Sequence, residues 1–340
     1  MTFWRIINGD ALSVLKAMDS DSVDCCVTSP PYWRLRDYGT GGQIGDEDSI
    51  AEYLFHISEV FEEVRRVVRD SGTAWINMGD GYSGGGFGGG GYAELGHWAD
   101  GKKSATWAAR NNVRNRYDMN IGLKPKNLIG MPWRLALALQ DNGWYLRQDI
   151  IWHKPNPMPE SVVDRCTKSH EYVFLFSKRP KYYFDADVLK EPVSGTAHKR
   201  GNGVNRKARL DAERAFNRKR SVCKEPRQNQ SFSSSVSELV PYRNARSVWT
   251  IPTQGRSDDH FASFPDELAR RCILAGCPRG GVVLDPFIGR GTTAIVALRH
   301  QRSAIGIDIN KIYCEMSRHN IVNDSPLFNP SMESRVKNKI

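Results

Sequence analysis

The chain has 340 residues, 40% apolar and 25% charged, the proportions of a globular protein with one large or two modest domains. No run approaches the roughly 18 apolar residues of a membrane span, and Met1-Thr2-Phe3-Trp4-Arg5 lacks the basic-then-apolar order of a signal peptide, so a cytoplasmic protein is expected. Of the formal net charge of +10, most sits between Gly195 and Gln230, where 11 Lys/Arg against 3 acids leave +8 in 36 residues.

Asp24-Cys25-Cys26-Val27-Thr28 reads as a buried strand that runs into Ser29-Pro30-Pro31-Tyr32-Trp33. Two prolines cannot donate ladder hydrogen bonds, so the strand has to end at or near Ser29, in a stiff elbow carrying two aromatic rings. Ser49-Ile50-Ala51-Glu52 is a capping-box pattern. Tyr53, Leu54, Ile57, Val60, Phe61, Val64, Val67 and Val68 follow at helical spacing. Gly72 is expected to close that helix, and Thr73–Met78 to form the next strand. Gly79 to Gly91 then holds nine glycines in thirteen residues, with polar sequence on to about Asn120. It lacks the Gly-Lys-Ser/Thr ending of a phosphate loop and reads as a linker, a lid or a DNA-contacting loop.

Further along, Ile150-Ile151-Trp152 predicts a strand. His170–Phe176 predicts another, turning at Arg179-Pro180 into Tyr182-Tyr183-Phe184 as a hairpin. The basic segment follows, from about Leu189 to Ser247. It is either a solvated insert or the surface for a polyanion, whose phosphates release counterions when neutralised. Gly281–Leu284 and Ala304–Ile307 predict strands flanking a helix from Thr292 to His300. Strand–helix alternation implies an α/β fold with a largely parallel sheet. The seven cysteines show neither a Cys-x-x-Cys pair nor a His partner at zinc spacing, so reduced, mostly buried thiols and no metal are expected.

The second chemical motif is Asp285-Pro286-Phe287-Ile288-Gly289-Arg290-Gly291-Thr292-Thr293, where a strand runs into a glycine turn that opens a helix. Gly289 and Gly291 allow close approach to the backbone, and the helix start offers unpaired N–H groups. Asp308, ending the next strand, can grip ribose hydroxyls. A carboxylate at Asp285 would repel a dinucleotide's pyrophosphate but suit the amino group of a methionine moiety. That points away from NAD and toward S-adenosylmethionine.

Together, the elbow and the glycine turn resemble the amino-group DNA methyltransferases, in the beta arrangement with the catalytic motif first and the cofactor motif last. The resemblance implies a Rossmann-like S-adenosylmethionine-dependent fold. Its parts are a catalytic part over residues 1–188, a target-recognition region over 189–247 and a cofactor-binding part over 248–325. It implies Ser29, Pro30, Pro31 and Tyr32 as catalytic residues. At the cofactor it places Asp10 of Asn8-Gly9-Asp10, Thr28, and His260, Phe261, Ser263, Phe264 and Pro265 of the His260–Pro265 segment. Asp285, Pro286, Phe287, Gly289, Gly291, Thr292, Thr293, Asp308, Ile309 and Asn310 complete that set. Arg218, Lys219 and Arg220 are expected at DNA, Trp33 either at DNA beside the pocket or packed into the core behind Tyr32, and His153 and Lys154 at the target-base pocket or the surface.

Double-stranded DNA is the implied partner, with a homodimer and a restriction endonuclease counterpart as further options. The amino nitrogen of cytosine or adenine is a poor nucleophile, which the Ser29 hydroxyl and the Pro30 carbonyl can help by accepting its N–H bonds. No thiolate attack is needed. Tyr32 is the expected stacking platform for a flipped base, and Ser-Pro-Pro-Tyr-Trp looks more like the cytosine-N4 than the adenine-N6 enzymes. An RNA methyltransferase and a Rossmann oxidoreductase are the other readings.

Overall fold

The computed structural model describes residues 2–34, 41–83, 123–193, 198–200, 236–239, 241–254 and 264–324. They fall into two compact units, Met1–Asp185 with Arg246–Ile340, and Ala186–Ala245. The larger unit is built on one eight-stranded sheet. Its strands in chain order are β1 (Trp4–Asn8), β2 (Val23–Thr28), β3 (Val68–Met78), β4 (Tyr145–His153), β5 (His170–Ser177), β6 (Val248–Thr250), β7 (Val282–Asp285) and β8 (Ser303–Asp308). Across the sheet they run β1-β8-β7-β2-β3-β5-β4-β6. All neighbours are parallel except β5, which runs antiparallel to both β3 and β4.

Helices cover both faces. On one lie α1 (Ala11–Lys16), α2 (Ile50–Val67) and α3 (Met131–Asp141), and on the other α4 (Asp266–Gly276), α5 (Thr292–Arg299) and α6 (Lys311–Asp324). This sandwiching explains why every residue of β2 is buried: a central parallel strand has no solvent face. Alternation along β3 divides the core. Ala74, Ile76 and Met78 join the cluster of Tyr53, Ile57, Phe61 and Val64 from α2. Thr73 and Trp75 face the end of α4 at Gly276. Ser49 caps α2 as expected, its hydroxyl accepting from Glu52 N–H at 3.1 Å.

Two local expectations are corrected. Gly72 does not end α2, which stops at Val67 and passes directly into β3. The glycine is needed for closeness instead, since a Cβ there would stand 2.7 Å from Asp24 O. Nor do Tyr182–Phe184 form a hairpin with β5, whose two edges are already taken by β3 and β4. The segment runs as irregular chain, with Tyr183 N–H donating to Ser71 O and Asp185 N–H to Ala275 O.

The sheet order fixes where a ligand can sit. β2 and β7 lie side by side, but α2 carries the chain from β2 to one side and α5 carries it from β7 to the other. The carboxyl ends of two such strands leave a crevice at the point where the winding reverses. The smaller unit contains two short antiparallel pairs, Glu191–Pro192 with Tyr242–Arg243 and His198–Arg200 with Val236–Leu239. Among the described residues no helix is long and apolar enough to cross a membrane.

The tightest helix–sheet approach is testable. A Cβ at Gly276 would overlap Trp75 Nε1 and stand 2.5 Å from Thr73 Oγ1. Gly276→Ala is expected to destabilise the protein by about 1–3 kcal/mol through overpacking. The check is a lower urea midpoint at unchanged slope; an unmoved midpoint would mean that α4 shifts without resistance.

Candidate active site

The elbow follows β2 directly and is held from several sides. Tyr53 of α2 donates its hydroxyl to Pro31 O at 2.9 Å. Arg34, left-handed at φ 52°, donates its N–H to Gly45 O at 2.6 Å. Trp33 is 3% exposed, and its indole N–H donates to Glu47 O at 2.9 Å. This corrects the placement at DNA in favour of the core: Trp33 is the buried anchor of the elbow, with its one polar atom satisfied inside. Ser29 and Tyr32 remain partly accessible, the Ser29 hydroxyl donating to Tyr32 Oη at 3.4 Å.

Tyr32 is tied further inward. Its hydroxyl donates to Glu171 Oε2 at 2.9 Å and accepts from Asn77 Nδ2 at 3.1 Å. Asn77 Nδ2 also donates to Glu171 Oε2 at 2.9 Å, and Lys154 pairs with Glu171 Oε1. Burial acts to raise the Glu171 carboxyl, but the Lys154 ammonium and the three hydrogen bonds outweigh it and hold the group below the usual carboxylate range. Burial, and then the Glu171 charge, push the Tyr32 phenol up, so it stays a neutral donor. Lys154 therefore joins the site, whereas His153 turns to Thr250 Oγ1 at 3.1 Å. Glu171 and Asn77 were not among the expected site residues. The available signal was a lone acid opening an otherwise apolar strand, His170-Glu171-Tyr172-Val173-Phe174-Leu175-Phe176.

Across the crevice stands the glycine turn. Asp285, 2% exposed at the end of β7, accepts from the hydroxyls of Thr28 and Thr293, both at 2.6 Å, and from Phe287 N–H at 3.1 Å. Asp308, ending β8, accepts from Gly289 N–H at 3.0 Å and Asn310 N–H at 2.8 Å. Burial pushes the Asp285 carboxyl up to about 6 against the pull of its threonine partners, and pushes Asp308 up to about 6 as well.

Gly289 adopts φ 53° with open space where its Cβ would be. Gly291, at φ 93°, lies against Ser317 and starts α5. The Asn8-Gly9-Asp10 turn touches Asp308: Gly9 N–H donates to Asp308 O at 3.0 Å, while Asp10 caps α1 through Ser13 N–H. Pro286 and Thr292 are buried, and Phe287, Ile309 and Asn310 are half-buried around the turn.

Phe264, with Val27, Thr28 and Asn77, lines a cavity of about 10 Å³, and Pro265 precedes the first turn of α4. His260, Phe261 and Ser263 lie outside the described residues, as do Arg218, Lys219, Arg220 and the Gly-rich stretch beyond Ser83. Cys25, Cys26, Cys272, Cys277 and Cys314 are buried and Cys166 is exposed. Burial raises the five buried thiols, which makes them poor nucleophiles.

The donor set fits one kind of ligand. Two carboxyls pushed up toward neutrality favour a cation and hydroxyl donors, which stabilise their ionised form, and disfavour a pyrophosphate. The open face at Gly289 lets such a ligand reach the backbone.

Known proteins are similar in the same region and beyond it. The family model for N6/N4 methyltransferases, described as DNA methylase, matches residues 23–319. The chain is 41% identical to the Type II methyltransferase M.SmaI of Serratia marcescens over 324 residues, 94% of this chain and 90% of that one. It is 42% identical to the Type II methyltransferase M.Cfr9I of Citrobacter freundii over 312 residues, 92% of this chain and 85% of that one. Among solved structures, TTHA0409 of Thermus thermophilus, complexed with S-adenosyl-L-methionine, matches with TM-score 0.55 at 24% identity over 95% of each chain. The cytosine-N4-specific PvuII DNA methyltransferase matches with TM-score 0.56 at 15% identity, over 96% of this chain and 92% of that one. These two likenesses establish the fold.

The raised carboxyls predict a pH effect. Their folded-state values of about 6 lie above the ordinary 3.8, so between those limits the folded chain keeps protons that the unfolded chain has lost. The stability they contribute is full below about pH 4 and is lost as pH rises through about 6. Asp285→Asn should flatten part of that loss in ligand-free protein, measured as urea midpoint against pH. A slope identical to wild type would place the proton elsewhere.

Proposed function

This chain belongs to the DNA methylase family of N6- and N4-specific amino-methyltransferases, and on that premise we propose that it methylates the exocyclic N4 of a cytosine turned out of duplex DNA. The observation that carries the reading is the half-accessible Ser29 hydroxyl, fixed beside Tyr32 on an elbow whose other bonds are satisfied. S-adenosyl-L-methionine, the family's cofactor, supplies a methyl group activated by its sulfonium charge. Asp285, Gly289 and Asp308 would hold it, with the Asn8–Asp10 turn beside Asp308.

Ser29 Oγ and the Pro30 carbonyl accept hydrogen bonds from the target amine. That draws its lone pair out of the ring and fixes the nitrogen in one direction. Proline stiffens the acceptor and brings no competing N–H. A serine hydroxyl can also donate to the ring nitrogen beside the amine, N3 in cytosine or N1 in adenine, so the choice of cytosine rests on the likeness of Ser-Pro-Pro-Tyr-Trp to the cytosine-N4 enzymes. Extruding the base costs a few kcal/mol, and stacking on the Tyr32 ring returns about 1–3 kcal/mol. Residues 189–247 are the target-recognition region in this reading, between a catalytic part at 1–188 and a cofactor part at 248–325. Arg218, Lys219 and Arg220 would meet phosphates. The Type II names of the relatives extend the proposal to a restriction endonuclease of the same site specificity.

Two experiments test it. Duplex DNA treated with enzyme and cofactor, then digested to nucleosides, should contain N4-methylcytosine; N6-methyladenine alone would overturn the base assignment. Ser29→Ala should lose most turnover while cofactor affinity persists, and wild-type turnover in that variant would remove Ser29 from the chemistry.

Neutralising Arg218, Lys219 and Arg220 together should weaken DNA binding and lower the salt slope by up to about 0.9 for each phosphate no longer neutralised. Affinity for S-adenosyl-L-methionine should hardly move. A slope equal to wild type would make those residues solvated bystanders.

A further inference from the structure

The methyl transfer described above uses Ser29, Pro30 and the Tyr32 ring but leaves Glu171 without a task. A carboxylate is expensive to bury unless charges and hydrogen bonds compensate it, and here they do so completely. Lys154 supplies the counter-charge, itself 4.5 Å above the Trp152 ring, and Asn77 supplies a third donor. The compensated acid presents one oxygen to a single further group, the Tyr32 hydroxyl, at 2.9 Å. Gly79 makes room for this meeting: a Cβ there would stand 3.0 Å from Tyr32 Cε2 and 3.3 Å from Glu171 Cδ.

We propose that Glu171 is a positioning residue, which locks the Tyr32 ring through its hydroxyl in the orientation that receives the target base. The inference rests on the reading of Tyr32 as the stacking platform. The elbow backbone is stiff, but its prolines do nothing to stop the tyrosine side chain from swinging about its own torsions. Stacking alone needs only a ring, so the phenol oxygen can serve as a handle. That handle is held by a donor and an acceptor, Asn77 Nδ2 and Glu171 Oε2, on the neighbouring strands β3 and β5. A ring held in this way keeps the target amine aligned with Ser29, and misplacement of about 1 Å at such a site costs on the order of 10²-fold in rate.

The test is a double-mutant cycle on steady-state methylation of duplex DNA by the full-length protein. Glu171→Leu and Tyr32→Phe should each lower kcat by about tenfold or more while the KM for S-adenosyl-L-methionine stays within about twofold. The double variant should be no worse than the poorer single one, because both changes cut the same bond. Glu171→Gln keeps an acceptor for the phenol and should recover part of the activity lost in Glu171→Leu. Independent, additive losses would overturn the proposal, as would wild-type kcat in Tyr32→Phe, which deletes one oxygen and remains informative should Glu171→Leu fail to fold. Tyr32→Ala tells the two readings apart. Full activity there sinks the platform itself, whereas a large loss beside unaffected Glu171 variants sinks only the role of Glu171.

Discussion

One buried carboxylate holds the crevice together. Asp285 accepts a hydroxyl from Thr28, the last residue of β2, and another from Thr293, in the first turn of α5. The first bond spans 257 positions in sequence and joins the strand that leads into the elbow to the strand that leads into the glycine turn. Backbone pairing between β2 and β7 is registered at Cys25–Val283 and Cys26–Leu284, short of the strand tips, where the Asp285 bonds to Thr28 and Thr293 take over. Because the acid is 2% exposed, water cannot substitute for either threonine. The separation between Ser29 and the glycine turn is therefore set by a side-chain bond, not by loop length.

Much of this was legible in the sequence, and for a definite reason. The elbow, the glycine turn and the capping box are each determined by residues adjacent in the chain. Ser49, Pro30, Pro31, Gly289 and Gly291 act on their own neighbourhoods, so their meaning is local. Glu171 and Asn77 were missed because their roles depend on register: β3 and β5 pair antiparallel, opposing Asn77 to Val173 and bringing Glu171 level with Gly79. Trp33 had two expected places for a related reason. Adjacent aromatic residues look equivalent in a string, but on a rigid elbow they point apart, one into the core and one into the crevice. Gly72 shows the same limit, since its neighbour Asp24 lies on another strand.

Charge is divided in a way that follows from these contacts. Removing the +8 of Gly195–Gln230 from the total of +10 leaves +2 for the other 304 residues. Beside the glycine turn stand Asp285 and Asp308, which suit a cationic cofactor and disfavour a phosphate.

The sheet order also bears on how the chain is made. β1 pairs with β8, and Phe3 N–H reaches Ser303 Oγ 300 positions away. β2, buried along its whole length, finds β3 early but must wait for β7 to cover its other edge. At about 5–20 residues per second of translation, that delay is about 13–50 s. Throughout it the nascent chain carries an open, apolar, hydrogen-bond-hungry edge, the kind that pairs with other chains. Such long-range pairing also predisposes refolding to be slow. The crevice, whose two walls are the tips of β2 and β7, is thus completed only after nearly all of the chain up to Asp285 has been made.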